Sequence, residues 1–387
     1  MRRSWLLVLP LACVLSLAAC GTGVELVAES DGPPPWRTAF TERAAFVAAR
    51  DSNTLHVLPI DSAGQPSAAG HLRVPGRIDA MAARGTHVFL GITLHQNALQ
   101  APLTREWIDQ GWLLVDERFS SGGAFLGGSN LVIFDVADPA RPRFVSALVT
   151  TPMPMTDIRE IVLQDGRAYL VTDVGVWLAD VADAAAPRLV GRISETGVAV
   201  AAGRHLYVAE GAARPGEAAG ARNVGGGMKI VDVSNPAAPR VLGRLDARAL
   251  GTREDAGVYG ADVDVIAAGE RHVYLDAEVR VGARTRDFLV TVDVSDPAQP
   301  REVARVEVDF LDGLVVRGRT LYAYGTGGSR ALVRRYDLSN PAAPRETGRY
   351  DLDDATDMES VGNLEAANGL LYVQNDDLGV SVFRLPQ

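Results

Sequence analysis

Apolar and polar positions alternate in short runs along most of the chain, and the runs return as a set. The stretch MKIVDVSNPAAPRVLGRL at 228–245 recurs as LVIFDVADPARPRFVSAL from 131, VWLADVADAAAPRLVGRI from 176, LVTVDVSDPAQPREVARV from 289 and LVRRYDLSNPAAPRETGRY from 332. In each copy an acidic residue (Asp135, Asp180, Asp232, Asp293, Asp337) stands seven positions before a proline (Pro142, Pro187, Pro239, Pro300, Pro344). The copies themselves lie 44 to 61 residues apart. Period-2 apolar runs bounded by Asn, Asp and Pro predict two strands joined by a turn of fixed length, so the variation in spacing lies outside this unit.

A companion strand precedes each unit. Apolar runs with a central aromatic are centred on Phe46, Phe89, Tyr169, Tyr207, Tyr274, Tyr322 and Tyr372, and most follow a glycine (Gly85, Gly166, Gly203, Gly269, Gly318, Gly369) of the kind a hairpin turn needs. Before those turns come stretches rich in small residues: DAMAAR, EIVLQD, GVAVAA, DVIAAG, GLVVR and NLEAAN. Small side chains suit strands converging on a crowded axis. Four short strands in about 40 to 60 residues form a propeller blade. The predicted fold is all-β: a seven-bladed β-propeller of four-stranded antiparallel blades.

The two end copies are degenerate. LHVLPIDSAGQPSAAG (55–70) carries Pro59 in the acidic position, and GVSVFRLPQ supplies only the third strand of the last blade. The apolar stretch 24–28 could provide its outer strand and close the ring by pairing the two ends of the chain. The competing reading makes 20–36 a lipidated cysteine followed by a tether, with Pro33 to Pro35 as a stiff spacer, and the propeller 37–387.

These units resemble the LVIVD repeat of bacterial and archaeal exported proteins, over nearly all of the chain after about residue 36. The resemblance implies a β-propeller at the cell envelope or surface and no common reaction.

Composition changes the picture at the amino terminus. Arg2 and Arg3 precede an apolar run that is of secretory-signal length and too short to span a membrane. Leu17-Ala18-Ala19-Cys20 resembles a bacterial lipobox, which implies removal of 1–19 and a diacylglycerol thioether on Cys20; an ordinary signal peptide with a chance cysteine is the alternative. Gly21 after the cysteine favours the outer membrane in the sorting pattern of such lipoproteins. The other cysteine, Cys13, lies in the removed segment, so the mature chain has no disulfide and no thiolate metal site. Its formal charge moves from −10 to −12 with the loss of Arg2 and Arg3, which opposes nucleic acid and anionic headgroups and leaves the acyl chains as the membrane contact.

If the strands run from axis to rim, the first and third turns of every blade open on one face and are short. The insertions fall on the other: 93–129, 211–226, 247–259 and 351–358. Loops held by a rigid scaffold carry binding and catalysis, so that face is the candidate surface. Three features share it. Loop 93–129 carries Trp107 and Trp112 with Phe119 and Phe125, and Thr104 could cap a short helix through Trp112; these aromatics form either a partner-binding patch or a buried cover over their own blade. Asp351, Asp353, Asp354, Asp357, Glu359, Asp376 and Asp377 crowd the last blade and could hold Ca2+ through oxygen ligands, although their spacing is not that of an EF-hand; a solvated acidic surface is the preferred account of them. Asp79, Glu160, Asp264, Asp312 and Asn363 recur at the entry to the innermost strand, where the fourth blade has Gly197, and could ring the channel mouth, either to bind a cation or polar ligand on the axis or equally to cap exposed strand amides and waters.

No nucleophile elbow, phosphate loop or dinucleotide fingerprint is present, and the six histidines include no sequence pair of metal-ligand spacing. The preferred reading is a non-enzymatic, lipid-anchored binding or scaffold module for an envelope protein, glycan or other surface component. A hydrolase or lyase using Asp79, Glu160, Asp264 and Asp312 is the rival. A third reading is an outer-membrane assembly scaffold that takes client strands at sheet edges.

Overall fold

The computed structural model of the protein describes residues 25–29, 35–41, 43–49, 53–61, 70–93, 102–110, 129–149, 157–210, 227–246, 258–262, 266–281, 284–309, 311–327, 330–352, 363–367, 369–375 and 379–384. After β1 (Glu25–Glu29), strands β2 (Pro35–Phe40), β3 (Ala44–Ala49), β4 (Thr54–Pro59) and β5 (Gly70–Arg73) form the first antiparallel sheet. The second holds β6 (Arg77–Arg84), β7 (His87–Thr93), β8 (Ser129–Asp135) and β9 (Arg143–Val149), with helix α1 (Pro102–Asp109) between β7 and β8. The third is β10 (Glu160–Gln164), β11 (Arg167–Thr172), β12 (Gly175–Asp180) and β13 (Arg188–Ile193), and the fourth is β14 (Val198–Ala202), β15 (His205–Glu210), β16 (Gly227–Asp232) and β17 (Arg240–Asp246).

The fifth sheet departs from four strands. Its innermost edge comes in two pieces, β18 (Val258–Asp262) and β19 (Ile266–Ala268), which both pair with the long β20 (His272–Val281); β21 (Arg284–Asp293) and β22 (Arg301–Val308) follow. The β20–β21 hairpin extends beyond its counterparts, and part of the segment expected as a loop at 247–259 pairs with that extension as β18. The sixth sheet is β23 (Leu311–Arg317), β24 (Thr320–Gly327), β25 (Arg330–Asp337) and β26 (Arg345–Leu352). The seventh is β27 (Asn363–Ala367), β28 (Leu370–Asn375) and β29 (Gly379–Arg384), and β1 pairs antiparallel with β29 as its outer strand. The innermost strands stand side by side in the order β2, β6, β10, β14, β19, β23 and β27, and β27 packs beside β2. The fold is a β-propeller. Pro35, expected in a spacer, is the first residue of β2, where its missing N–H is tolerated at a strand start.

The apolar runs are nearly continuous because each sheet is covered on both faces. In the third sheet Ala168, Leu170 and Ala179 pack against Leu131 and Ile133 of the second, while Tyr169, Val171 and Leu178 pack against Leu206 and Val231 of the fourth. All seven central aromatics, from Phe46 to Tyr372, are buried; burying a side chain of this size stabilises the fold by roughly 1.5–3 kcal/mol. The two-residue turn Asp165-Gly166 has both φ angles positive, 46° and 75°, as a type I′ hairpin turn requires.

The repeated acidic residue is a turn device. Asp135, Asp180, Asp232, Asp293 and Asp337 each accept the backbone N–H two residues on, at 2.9–3.1 Å. Three residues after it, Asp138, Asp183, Asn235, Asp296 and Asn340 repeat the same bond over the next turn at 3.0–3.2 Å. The backbone N–H that follows the first aspartate bonds to the carbonyl of the inner hairpin turn, as in Val233 to Arg204 and Val294 to Arg271. Both short turns of these five blades therefore lie on one face and are tied together.

Neighbouring sheets meet through these turns. A Cβ on Gly191 of β13 or Gly243 of β17 would overlap the carbonyl oxygen of Pro236 or Pro297 in the next sheet's turn, and one on Gly70 would come within 2.9 Å of Pro139 O. At the matching place in β9, the Ser146 hydroxyl donates to Ala184 O at 2.6 Å. Arg167 adds a bond from Nη1 to Val233 O at 2.6 Å.

Candidate functional site

The innermost strands have no sheet partner on the axial side, so their backbone N–H and C=O groups are open there. Side chains from neighbouring inner strands meet some of them. Arg37 Nε of β2 donates to the Asp79 carbonyl of β6 at 2.6 Å. The Ala199 N–H of β14 donates to Glu160 Oε2 of β10 at 3.2 Å. Arg317 of β23 donates to the Ala366 carbonyl of β27, and the Phe40 N–H of β2 donates to the carboxylate of Glu365 in β27. Guanidinium groups cover carbonyls and carboxylates cover amides.

A charged cluster occupies the entry to β6 and β10. Asp79 is buried; its Oδ1 accepts Arg77 Nε at 2.5 Å and its Oδ2 has no hydrogen-bond partner. Asp79 stands at a shift of register between Ile78 and Ala80, and such bulges re-aim a side chain. Arg77 also lies 3.8 Å from Asp157, whose other oxygen accepts the Thr93 hydroxyl at 3.0 Å. Glu160 is half-buried, and the desolvation of its carboxyl pushes it up to about 7 against the opposing pull of the Ala199 N–H and the Arg37 charge.

A second carboxyl lies on another inner strand, β27. Burial pushes Glu365 up to about 7, against Arg317 and the Phe40 N–H. Its cross-strand partner is Tyr372, whose ring stacks on Phe40 at 4.1 Å between centroids. Burial, and then the Glu365 carboxylate, hold the Tyr372 hydroxyl up at about 12. Two carboxyls on inner strands are thus poised to exchange protons near neutrality, the property required of general acids and bases.

The predicted ring is brought together only in part. Asp79 and Glu160 lie on adjacent inner strands with Arg37 reaching both. Asp312 stands at a register shift in β23, Asn363 opens β27, and Asp264 lies outside the described residues. Gly197 precedes β14 with a φ of 136°. Sequence reasoning missed Arg37, Arg317 and Glu365; the available signal was a charged residue inside otherwise apolar or small-residue inner strands, as in NLEAAN. Among the described residues no group of three or more His, Cys, Asp or Glu could hold a metal ion.

Of the loop aromatics Trp107 alone lies among the described residues, and it takes the buried of the two expected arrangements. Trp107 is buried on its own sheet, 5.9 Å from Phe134 and 6.2 Å from Phe144 between ring centroids, so it is not part of an exposed patch. Thr104 is not the cap: α1 starts at Pro102, whose fixed φ suits a first helical position, and the buried Thr104 hydroxyl lies within the helix without a partner. The helix ends at Asp109, and Ile108 is exposed beside Trp107. Trp112, Phe119 and Phe125 lie outside the described residues, as do Cys20, Asp353, Asp354, Asp357, Glu359, Asp376 and Asp377. Asp351 was expected in a loop and instead belongs to β26, opposite Leu332.

Residues 223–247, 283–308 and 336–352 match the LVIVD repeat, and these stretches contain Asp232, Asp293 and Asp337 with their proline turns. No curated protein matches the chain. Among solved structures, the WD40 domain from Toxoplasma gondii coronin is similar with a TM-score of 0.52 at 13% identity, over 95% of this chain and 85% of that one. A protein from Lactobacillus plantarum is similar with a TM-score of 0.52 at 11% identity, over 85% of this chain and 90% of that one. BamB from Moraxella catarrhalis gives a TM-score of 0.48 at 11% identity, over 94% and 98%. At these identities the likeness concerns the fold. No helix among the described residues is long and apolar enough to cross a membrane.

Proposed function

We propose that this LVIVD-repeat β-propeller is a lipid-anchored binding module of the bacterial cell envelope, held at the outer membrane through Cys20, that engages an envelope protein or glycan through its loop-bearing face. The observation that carries the reading is the asymmetry of the two faces. On the turn face the polar groups of the proline turns are consumed by their own Asx bonds and by bonds to the inner hairpins. The other face carries Arg159, Asp173 and Val174, all exposed, and the charged cluster around Asp79 and Glu160. A surface whose donors and acceptors are already paired offers a partner little; a surface with exposed charge, one exposed aliphatic and long connections offers both contact and variation.

Position-specific cross-linking in intact cells tests this. Photo-reactive side chains at Arg159, Asp173 and Val174 on the loop face are compared with Ala140, Ala185 and Ala298 in the proline turns. A discrete product from the first set alone is expected, and products from the turn set alone, or from neither, overturn the reading. Incorporation of a labelled fatty acid that is lost in Cys20→Ser tests the anchor.

The acid–base reading draws on one observation, the elevated Glu160 carboxyl beside Arg37. Turnover of a glycan, lactone or phosphoester by purified protein, abolished by Glu160→Gln, would replace binding with catalysis.

A further inference from the structure

His56 and His71, fifteen positions apart in sequence, stand directly opposite one another in the antiparallel pairing of β4 with β5, between the pairs Leu55–Leu72 and Val57–Gly70. Leu55 and Val57 are fully buried against the second sheet, Leu72 packs with them, and Gly70 abuts Pro139 of that sheet. Alternation along a strand sends the two imidazoles together to the opposite side. His56 is half-buried and His71 is exposed, so the pair opens to solvent at the rim of the first sheet.

We propose that His56 and His71 form a two-point chelate for a late first-row divalent cation, Zn2+ being the reference case. Directly opposed residues hold their Cβ atoms about 4.5–5.5 Å apart. Two imidazole nitrogens on one zinc, each about 2.0–2.1 Å from it, lie roughly 3 Å apart, which that separation allows. Neutral imidazole suits Zn2+, Cu2+ and Ni2+ and not the oxygen-seeking Ca2+. Water completes the coordination, since no third ligand joins the pair among the described residues.

The position has a structural logic. In five sheets the turn between the third and fourth strands is held by its aspartate, from Asp135 to Asp337. In the first sheet Pro59 occupies that place, and a side-chain acceptor is missing from it. A cation bridging β4 and β5 would supply a cross-strand tie where the turn lacks one, and would stabilise the native chain through linkage.

The experiment is titration of the untagged mature chain with ZnCl2, with CaCl2 as control, read by calorimetry and by the thermal midpoint. One Zn2+ per chain is expected, with a rise in midpoint that Ca2+ does not give. His56→Gln and His71→Gln should each weaken this binding at least tenfold, and the double variant should be no worse than either single one. Retention of stoichiometric Zn2+ binding in His71→Gln or in the double variant overturns the proposal, as does absence of binding by the wild-type chain. Circular dichroism without metal verifies that both variants fold.

Discussion

Gly191 in the outer strand of the third sheet lies against the carbonyl oxygen of Pro236 in the turn of the fourth, so close that a Cβ would overlap it. The relation links two parts of the repeat: the proline turn of one unit docks on the glycine of the unit before. Gly243 and Pro297 repeat it. Gly191→Ala should therefore strain the sheet-to-sheet contact and cost about 1–3 kcal/mol, the range for overpacking. The midpoint of urea unfolding measures it. Ser146→Ala, which deletes a hydrogen bond to Ala184 O and adds no atoms, should cost only about 0.5–1.5 kcal/mol.

The turn aspartates give a graded prediction. Asp293 accepts the Ser295 N–H and pairs with Arg301 at 2.9 Å. Asp293→Ala should cost about 1 kcal/mol, as loss of a capping acceptor does. Arg301→Ala should cost less, since its side chain is 74% exposed and exposed ion pairs contribute about 0–1 kcal/mol. The hydrogen bonds from Ser295, and then Arg301, hold the Asp293 carboxyl well below the usual range. Its stabilisation is therefore complete above about pH 4 and is lost as the pH falls below it. Acid titration of wild type against Asp293→Ala should show the two curves converge at low pH.

Trp107 separates core from surface on α1. Trp107→Ala should destabilise by about 3–5 kcal/mol, as removal of a buried aromatic does, because the ring fills the space between Phe134 and Phe144. Ile108→Glu, one residue on, should leave the unfolding midpoint within about 0.5 kcal/mol. A stable Trp107→Ala protein would show that α1 does not pack as described.

The architecture was legible in the sequence because two-sided burial writes itself as apolar runs and fixed turn lengths as Asp and Pro spacing. Phe46, Tyr207 and Tyr372 are buried where the repeat put them. The role of the outer-strand glycines was not legible, since Gly191 meets Pro236 from another unit, 45 positions away. The candidate site was half legible. A carboxylate at the entry to the inner strand found Asp79 and Glu160, but Arg37 and Glu365 sit in units whose repeats are degenerate, so position counting failed there. The opposition of His56 and His71 depends on strand register across a connection of variable length, which no local motif records.

The inner-strand carboxyls make stability depend on pH in the opposite sense to the turn aspartates. Glu160 is raised to about 7, chiefly by burial, whereas an unfolded glutamate titrates near about 4.3. Below the unfolded value both states hold the proton and the contribution is whole. Between about 4.3 and 7 the unfolded state ionises while the folded state stays protonated, so unfolding releases a proton and stability falls with rising pH. Above about 7 both are ionised and the loss is complete, on the order of a few kcal/mol at most. Glu160→Gln should remove this slope: the amide oxygen can still accept the Ala199 N–H, and nothing is left to ionise. The variant should thus gain on wild type as the pH rises from 5 to 8, with the gap measured by urea unfolding at each pH. Parallel curves for the two proteins would mean that Glu160 is ionised at low pH in the native channel, and the acid–base reading of the inner strands would lose its proton donor.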